Sequence, residues 1–312
     1  MTFGISGGRR AAAVLLTTGA LLAAGPLVSP AAAAATPAPK VTAKGAFLMD
    51  SGSGKTVFSK TADTKRQMAS TTKTMAVAVV LDTKGVNLDR KVTVKQAYRD
   101  YVTKNGASTA DLRTGDKLTV RQLLYGAMLP SGCDATYALA DTFGTGSTVS
   151  ARTKSFISKM NAKAKSLKMT NTKFDSFDGI SQGGNNYSTP RDLAKLARHA
   201  LKNSTFRTVV KAASTKQKAT AKSGGTRTYT WYNTNKLLGS YKGATGVKTG
   251  TGTAAGPCLI FSATKNGKTL VGVILHDNNR YEDAGKMLDH GFGTKTTSTL
   301  RVKPLPQGAQ QD

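Results

Sequence analysis

Histidine and cysteine are scarce in this chain of 312 residues, and their scarcity excludes several kinds of site. The three histidines, His199, His276 and His290, are scattered without the spacing of a zinc site. The Gly-x-Ser-x-Gly pattern occurs at residues 4–8 and 179–183, but without the apolar strand before it and the helix after it that a nucleophile elbow needs, so a Ser-His-Asp hydrolase is not expected. We expect no metal and no cofactor. Cys133 and Cys258 are the only cysteines, and we expect two free thiols rather than a disulfide.

Beyond its first residues, the chain lacks an apolar run long enough to span a bilayer. At the start, Arg9 and Arg10 precede an apolar run over residues 11–28 and a small-residue string over residues 31–35. This order predicts an export signal over residues 1–35 with an Ala-x-Ala-type cleavage site, by a Sec or a twin-arginine route. We expect a mature protein that is secreted, without a transmembrane anchor, and soluble or loosely associated with the wall.

Strand patterns occur at both ends of the chain. A hairpin with a glycine-rich turn is predicted over residues 45–59, and an apolar helix follows from Thr71 to about Thr83, capped by Gly85. Further helices are predicted over residues 119–128, 134–143 and 151–167, and from Thr189 onward. The C-terminal part has strand patterns over residues 245–251, 258–264 and 269–276, then a helix over 280–288.

Strands at both ends with helices between them predict one antiparallel sheet that both termini complete. The predicted class is α/β of the α+β type. We expect a discontinuous sheet region over residues 41–86 and 188–292, with a mainly helical insert over residues 87–187. A polar tail is expected over residues 293–312.

Three short motifs carry the chemistry of the chain. They are Ser70-Thr71-Thr72-Lys73, Ser131-Gly132-Cys133 and Lys248-Thr249-Gly250. Each is weak alone, since Ser-x-x-Lys recurs at Ser262 to Lys265. Together and in this order along one chain, the three motifs are a specific signal.

The first motif pairs a nucleophile with a base. Ser70 and Lys73 are one helical turn apart, so their side chains share a face. A serine hydroxyl is a poor nucleophile until a neighbouring base takes its proton, and a lysine can do this only when uncharged. Burial and the nearby charge of Lys248 would both favour the uncharged form of Lys73.

Together the motifs resemble those of the serine penicillin-recognising enzymes, and among them the low-molecular-weight D-alanyl-D-alanine carboxypeptidases and transpeptidases. The resemblance spans about residues 45–292. It implies a β-lactamase/transpeptidase-like fold. The middle motif departs from the family, because Cys133 stands where asparagine is usual; a subgroup of small DD-transpeptidases carries Ser-Gly-Cys.

The resemblance also implies roles for the motif residues. Ser70 would be the nucleophile, Lys73 its base, and Ser131 the proton relay to the departing amine. Cys133 would contact the substrate, and backbone N–H groups of Ser70 and Thr251 would form the oxyanion hole.

The third motif would bind the substrate's terminal carboxylate. Lys248 and the hydroxyls of Thr249 and Thr251 would hold it, while Gly250 would keep the strand clear for the substrate. The implied partners are peptidoglycan pentapeptide stems, amine acyl acceptors and β-lactam antibiotics, and we expect a monomer.

Two alternatives remain open. A class A β-lactamase needs a deacylating glutamate between the second and third motifs, but the single glutamate is Glu282. A non-catalytic, basic wall-binding protein would fit the net charge of +28. The lysines are spread along the chain and not interleaved with aromatic residues, so anionic wall polymers are a better match than nucleic acid, which is not expected.

Overall fold

The computed structural model describes residues 1, 2, 4, 8 and 37–310. Apart from four positions, the export signal predicted over residues 1–35 therefore lies outside the described residues. In residues 37–310 the strands are β1 (Gly45–Asp50), β2 (Thr56–Lys60), β3 (Arg66–Gln67), β4 (Lys91–Thr93), β5 (Lys117–Thr119), β6 (Tyr187–Ser188), β7 (Ser214–Thr220), β8 (Thr226–Tyr232), β9 (Ala244–Gly250), β10 (Cys258–Lys265) and β11 (Lys268–Leu275).

The α-helices of the same residues are α1 (Lys73–Leu81), α2 (Gln96–Asn105), α3 (Val120–Met128), α4 (Cys133–Phe143), α5 (Val149–Ser166), α6 (Pro190–Ala200), α7 (Ser204–Lys211) and α8 (Arg280–Phe292). Short 3-10 helices occur at Ala69–Thr72 and Thr296–Thr299. Among the described residues, no helix combines the length and the apolar character that crossing a membrane requires.

The main sheet has five antiparallel strands in the order β2-β1-β11-β10-β9. The N-terminal hairpin therefore pairs with the C-terminal strands, as the sequence predicted. Side chains alternate between the two faces of a strand. In β1, Phe47 belongs to the larger core with α1 and α6, whereas Ala46 and Leu48 belong to a second core with α8.

Helix α1 lies at the centre of the larger core. Every residue from Lys73 to Leu81 is buried, which is typical of a helix that is apolar on all sides. The helix begins later than predicted, because residues Ala69–Thr72 form a tight 3-10 turn before it. It ends at Leu81, so Gly85 does not cap it; Gly85 (φ 68°) lies in the turn that follows.

A second sheet has the order β4-β5-β7-β8, and sequence analysis did not predict its hairpin β7–β8. The sheet joins strands on both sides of residue 187, so the helical insert and the sheet region share it. The boundaries drawn for these regions stay a prediction.

The segment after α8 packs against that helix. The backbone N–H and the hydroxyl of Thr297 both donate to Asp289 Oδ2, at 2.5 and 2.6 Å, and Leu300 packs against the second core. This part of the predicted polar tail is therefore attached to the fold.

Candidate active site

The Ser70 turn is held in an unusual backbone conformation. Ala69, directly before it, has φ 46°, a left-handed value that non-glycine residues seldom adopt. Gly179 packs against this turn so closely that a Cβ at position 179 would lie 2.1 Å from Ala69 O. Such conformations persist only where the surrounding structure enforces them, and they are common at functional sites.

Ser70 and Lys73 are in direct contact. Lys73 Nζ lies 2.8 Å from Ser70 Oγ and 3.0 Å from the backbone oxygen of Asp178. The side chain of Lys73 has no exposed surface, whereas Ser70 is half-buried. The Lys73 amine is thus shielded from water, while the Ser70 hydroxyl next to it remains accessible.

Ser131 also occupies a left-handed conformation, with φ 62°. Its side chain is fully buried, and its Oγ has no hydrogen-bond partner within the described part of the chain. Ser108 holds this turn by two hydrogen bonds: its Oγ donates to Ser131 O at 2.7 Å, and its backbone oxygen accepts from Cys133 N at 2.9 Å. The hydroxyl is thus unpaired but enclosed, and the proton-relay role that the resemblance implies stays a prediction.

Cys133 begins α4 and lies at the wall of the cleft, although almost none of its surface is exposed. Burial raises the pKa of the Cys133 thiol to about 12, against the opposing effect of the Lys73 charge. The thiol is therefore protonated at neutral pH, where it is a weak donor. Both Cys133 and Cys258 are free and buried.

The third motif forms the end of β9. Lys248, Thr249 and Gly250 are all buried. Lys248 Nζ donates to Thr249 O at 2.9 Å, and the Thr249 hydroxyl lies 2.5 Å from that of Thr234. The hydroxyl of Thr249 is thus engaged within the protein, and its predicted contact with a carboxylate stays a prediction.

Gly250 has a further reason for being glycine, and the predicted role of keeping the strand clear for substrate stays a prediction. A Cβ at this position would lie 2.9 Å from the backbone nitrogens of both Ser70 and Thr71. The missing side chain makes room for the nucleophile's own backbone, rather than for substrate alone. The oxyanion hole expected from the backbone N–H groups of Ser70 and Thr251 stays a prediction.

Sequence reasoning missed Arg280. It is the first residue of α8 and is largely buried, and its Nη1 lies 3.0 Å from Thr251 Oγ1 and 3.1 Å from Gly250 O. A cation at a helix N-terminus interacts unfavourably with the helix dipole. An arginine at the start of the helix predicted over residues 280–288 was therefore a signal that this residue has another role. Arg280 thus brings a positive charge to the end of β9, the strand that also carries Lys248.

The loop after Phe177 contacts Lys73 from outside the three motifs. Its Asp178 is fully buried; the backbone oxygen accepts from Lys73, and Oδ1 accepts from Ile180 N at 3.0 Å. Asp175 Oδ2 accepts from Ser181 Oγ at 2.6 Å. At least one oxygen of each carboxyl group is thus committed to its own loop.

These elements enclose a cleft of about 610 Å³. Its wall includes Ser70, Cys133 and Thr251, together with residues of the 105–108, 179–181 and 252–255 loops. Lys73, Ser131 and Lys248 are buried and do not form part of this wall. Among the described residues, no three metal-ligating side chains lie close enough to hold an ion.

The sequence profile of the D-alanyl-D-alanine carboxypeptidase family matches residues 31–279. The chain belongs to this family. Within it, the chain is 56% identical over 288 residues to the D-alanyl-D-alanine carboxypeptidase of Streptomyces sp. (strain K15), covering 91% of this chain and 98% of the relative. A D-alanyl-D-alanine carboxypeptidase of Mycobacterium tuberculosis is 31% identical over 275 residues, covering 86% of this chain and 88% of the relative.

Solved structures of family members share the fold. The crystal structure of the Streptomyces K15 DD-transpeptidase superposes with a TM-score of 0.81 at 55% identity, covering 83% of this chain and 100% of that chain. A D-alanyl-D-alanine carboxypeptidase from Mycobacterium tuberculosis superposes with a TM-score of 0.74 at 28% identity, covering 84% and 96%. The family and the fold predicted from the three motifs are therefore confirmed. Membership of a Ser-Gly-Cys subgroup stays a prediction.

Proposed function

We propose that this protein is a serine DD-peptidase that acts on the D-Ala-D-Ala termini of peptidoglycan stem peptides. The observation that carries the proposal is the 2.8 Å contact between Ser70 Oγ and the buried Lys73 Nζ, in a chain of this family. A hydroxyl with an adjacent, dehydrated amine is the arrangement that makes serine nucleophilic.

The first half-reaction forms an ester on Ser70. Lys73 takes the hydroxyl proton as Oγ attacks the carbonyl carbon between the two D-alanines. The backbone N–H groups of Ser70 and Thr251 stabilise the oxyanion, which is usually the largest single contribution in acyl transfer. Ser131, whose buried hydroxyl has no partner among the described residues, gives its proton to the departing D-alanine nitrogen and takes in exchange the proton that Lys73 received. The C–N bond breaks and D-alanine leaves.

Two cations fit the free carboxylate of the substrate. Lys248 and Arg280 both lie at the end of β9, and the Thr251 hydroxyl is 3.0 Å from Arg280 Nη1. Charge-assisted hydrogen bonds to a carboxylate are stronger than neutral ones. This pair therefore supports recognition of a chain that ends at the scissile residue, as a stem peptide does, and of the carboxylate of penicillin.

In the second half-reaction an amine or water attacks the ester, giving transpeptidation or hydrolysis. With penicillin the ester should persist, because the sequence has no glutamate between the second and third motifs that could activate water. Glu282 pairs with Lys286 at 2.8 Å on α8, and Asp175 and Asp178 engage their own loop. The lack of a glutamate between the second and third motifs favours a penicillin-inhibited enzyme over the β-lactamase alternative.

Product analysis tests the proposal. Purified mature protein is incubated with a D-Ala-D-Ala peptide, with and without Gly-Gly as acceptor, next to its Ser70→Ala variant. We expect release of D-alanine by the wild type alone, and a Gly-Gly adduct when the acceptor is present. Sustained nitrocefin turnover would instead establish a β-lactamase. Failure to take a covalent fluorescent penicillin would establish a non-catalytic wall-binding protein.

A further inference from the structure

The outward face of the small sheet is built from lysine and hydroxyl side chains. Across its four strands, Thr93 pairs with Lys117, Lys117 with Thr220, and Thr220 with Thr226. Directly paired residues of antiparallel strands point to the same side of a sheet. One row of side chains therefore crosses the whole sheet on a single face.

Further lysines join this row. Residues two apart in a strand return to the same face, so Lys91, Lys216 and Lys218 lie on the side of Lys117. All four lysines are exposed. We call Lys91, Lys117, Lys216 and Lys218, with the hydroxyl residues between them, the lysine face.

The opposite side of the same sheet is apolar. Val92, Leu118, Ala219, Tyr229 and Trp231 are buried and belong to the larger core. The sheet is thus amphipathic, and its lysine face is the side that the protein leaves uncovered.

No carboxylate neutralises the lysines from within the sheet, since β4, β5, β7 and β8 contain no aspartate or glutamate. Two carboxylates at its margin are each paired with an arginine: Asp116 with Arg227 at 2.7 Å, and Asp89 with Arg121 at 3.8 Å. The positive charge of the face is therefore not balanced by its own sheet.

The register also separates the charges evenly. Lys91 stands opposite Thr119, Lys216 opposite Thr230, and Lys218 opposite Thr228, so no lysine faces another directly. Like charges in directly opposed positions would destabilise the sheet. The face thereby presents a regular pattern of ammonium groups with hydroxyl donors between them.

We propose that the lysine face binds a linear phosphodiester polymer of the cell wall and holds the enzyme close to its substrate. Spaced cations with interleaved hydroxyls suit an extended polyanion, because each phosphate can meet an ammonium group and a neighbouring donor. Single-stranded nucleic acid binds to a row of exposed aromatic rings. The lysine face has one aromatic residue in its four strands, the half-buried Tyr232 at the end of β8, whereas Tyr229 and Trp231 point into the core. The inference rests on the proposed export to the wall, and it is independent of acyl transfer.

Binding of poly(glycerol phosphate) to the mature protein tests this site. The face variant combines Lys117→Gln, Lys216→Gln and Lys218→Gln. The matched control removes three exposed lysines elsewhere, by Lys84→Gln, Lys154→Gln and Lys165→Gln. Both variants carry the same net charge, so a difference between them reports position alone. Thermal unfolding checks that both remain folded, and duplex DNA serves as a second probe.

Each lysine at an anionic surface contributes about a fivefold increase in affinity, so the face variant should bind at least about tenfold more weakly than wild type. The control should change by less than about threefold, and raised salt should weaken the wild type more than the face variant. An equal loss in both variants would overturn the site, because binding would then follow net charge. Unchanged binding by the face variant, or tighter binding of duplex DNA than of the polymer, would also overturn it. Penicillin labelling of all three proteins reports separately on the proposed enzymatic function.

Discussion

Lys73 Nζ lies 2.8 Å from Ser70 Oγ, and the lysine is fully buried while the serine is half-buried. The contact arises because Ser70 lies in a 3-10 turn that is followed directly by Lys73, the first residue of α1. A second acceptor, the backbone oxygen of Asp178, fixes the amine from the other side at 3.0 Å. The base is thus placed by main-chain geometry as well as by the spacing of the motif.

Replacing Lys73 with arginine should remove the base and keep a positive charge. Arginine is not deprotonated in proteins. A positioned base typically contributes 10²–10⁴-fold, so the second-order rate of acylation by penicillin should fall by at least about a hundredfold. Thermal unfolding identifies any variant that fails to fold, and Lys73→Met serves as an uncharged comparison. Near-wild-type acylation by the arginine variant would show that another group takes the proton.

Gly250→Ala should impair the site through the backbone. The new Cβ would meet the nitrogens of Ser70 and Thr71 at 2.9 Å, so the nucleophile turn must move. We expect a loss of about 1–3 kcal/mol in stability and a large loss of acylation. The control is Gly225→Ala in the turn between β7 and β8, where a Cβ would meet nothing within 4 Å. Equal acylation rates for the two variants would contradict this view of Gly250.

Cys133→Asn should retain acylation. Because the Cys133 thiol, with a pKa of about 12, is protonated and a weak donor, we assign it no essential proton transfer. An amide at this position restores the residue that is usual in the family. Labelling with fluorescent penicillin is the measurement, and Cys258→Ser controls for loss of a buried thiol. A Cys133→Asn protein that folds but takes no label would show that the thiol has its own role.

Arg280→Gln should weaken binding of substrates that carry a free terminal carboxylate. The guanidinium lies at the Thr251 hydroxyl, where we place that carboxylate. We expect KM to rise at least about tenfold, as for loss of a charge-assisted hydrogen bond. The control substrate is the same peptide with a C-terminal amide, whose slower turnover should respond much less. A similar loss with both substrates would indicate a structural role for Arg280.

Asp289 should make the stability of the fold depend on pH. Although burial opposes it, hydrogen bonds from Thr297, Thr294 and Tyr241 lower the pKa of Asp289 to about 2. The carboxylate therefore stabilises the fold above about pH 4, and this contribution is lost as the pH falls through about 2. Asp289→Asn should reduce stability at pH 7 by about 1–2 kcal/mol and flatten the loss between pH 4 and 2. Unfolding by denaturant at several pH values measures both. A parallel pH dependence in wild type and variant would contradict this assignment.

The sequence predicted the parts of the fold that depend on local patterns. The apolar runs within residues 258–264 and 269–276, with Asn266-Gly267 as a typical turn sequence between them, favour the paired strands β10 and β11 that the structure shows. The three motifs were enough to predict the family and the contact of Ser70 with Lys73.

The features that sequence reasoning missed depend on contacts distant in the chain. The role of Arg280 becomes visible only when α8 is packed against the end of β9. The backbone oxygen of Asp178 contacts Lys73 across 105 positions of sequence, and no residue type signals a carbonyl. The hairpin β7–β8 consists largely of threonine and lysine, so its apolar face is carried by few residues, of which Tyr229 and Trp231 are the largest.

The central claim is that Ser70 is acylated and that the ester persists. Mass spectrometry of the intact protein after incubation with penicillin, followed by peptide mapping, tests this most directly. We predict one penicilloyl group per chain, on the peptide containing Ser70, still present after hours of dialysis and missing from Ser70→Ala. An adduct on another residue, or rapid loss of the adduct with release of penicilloate, would contradict the account.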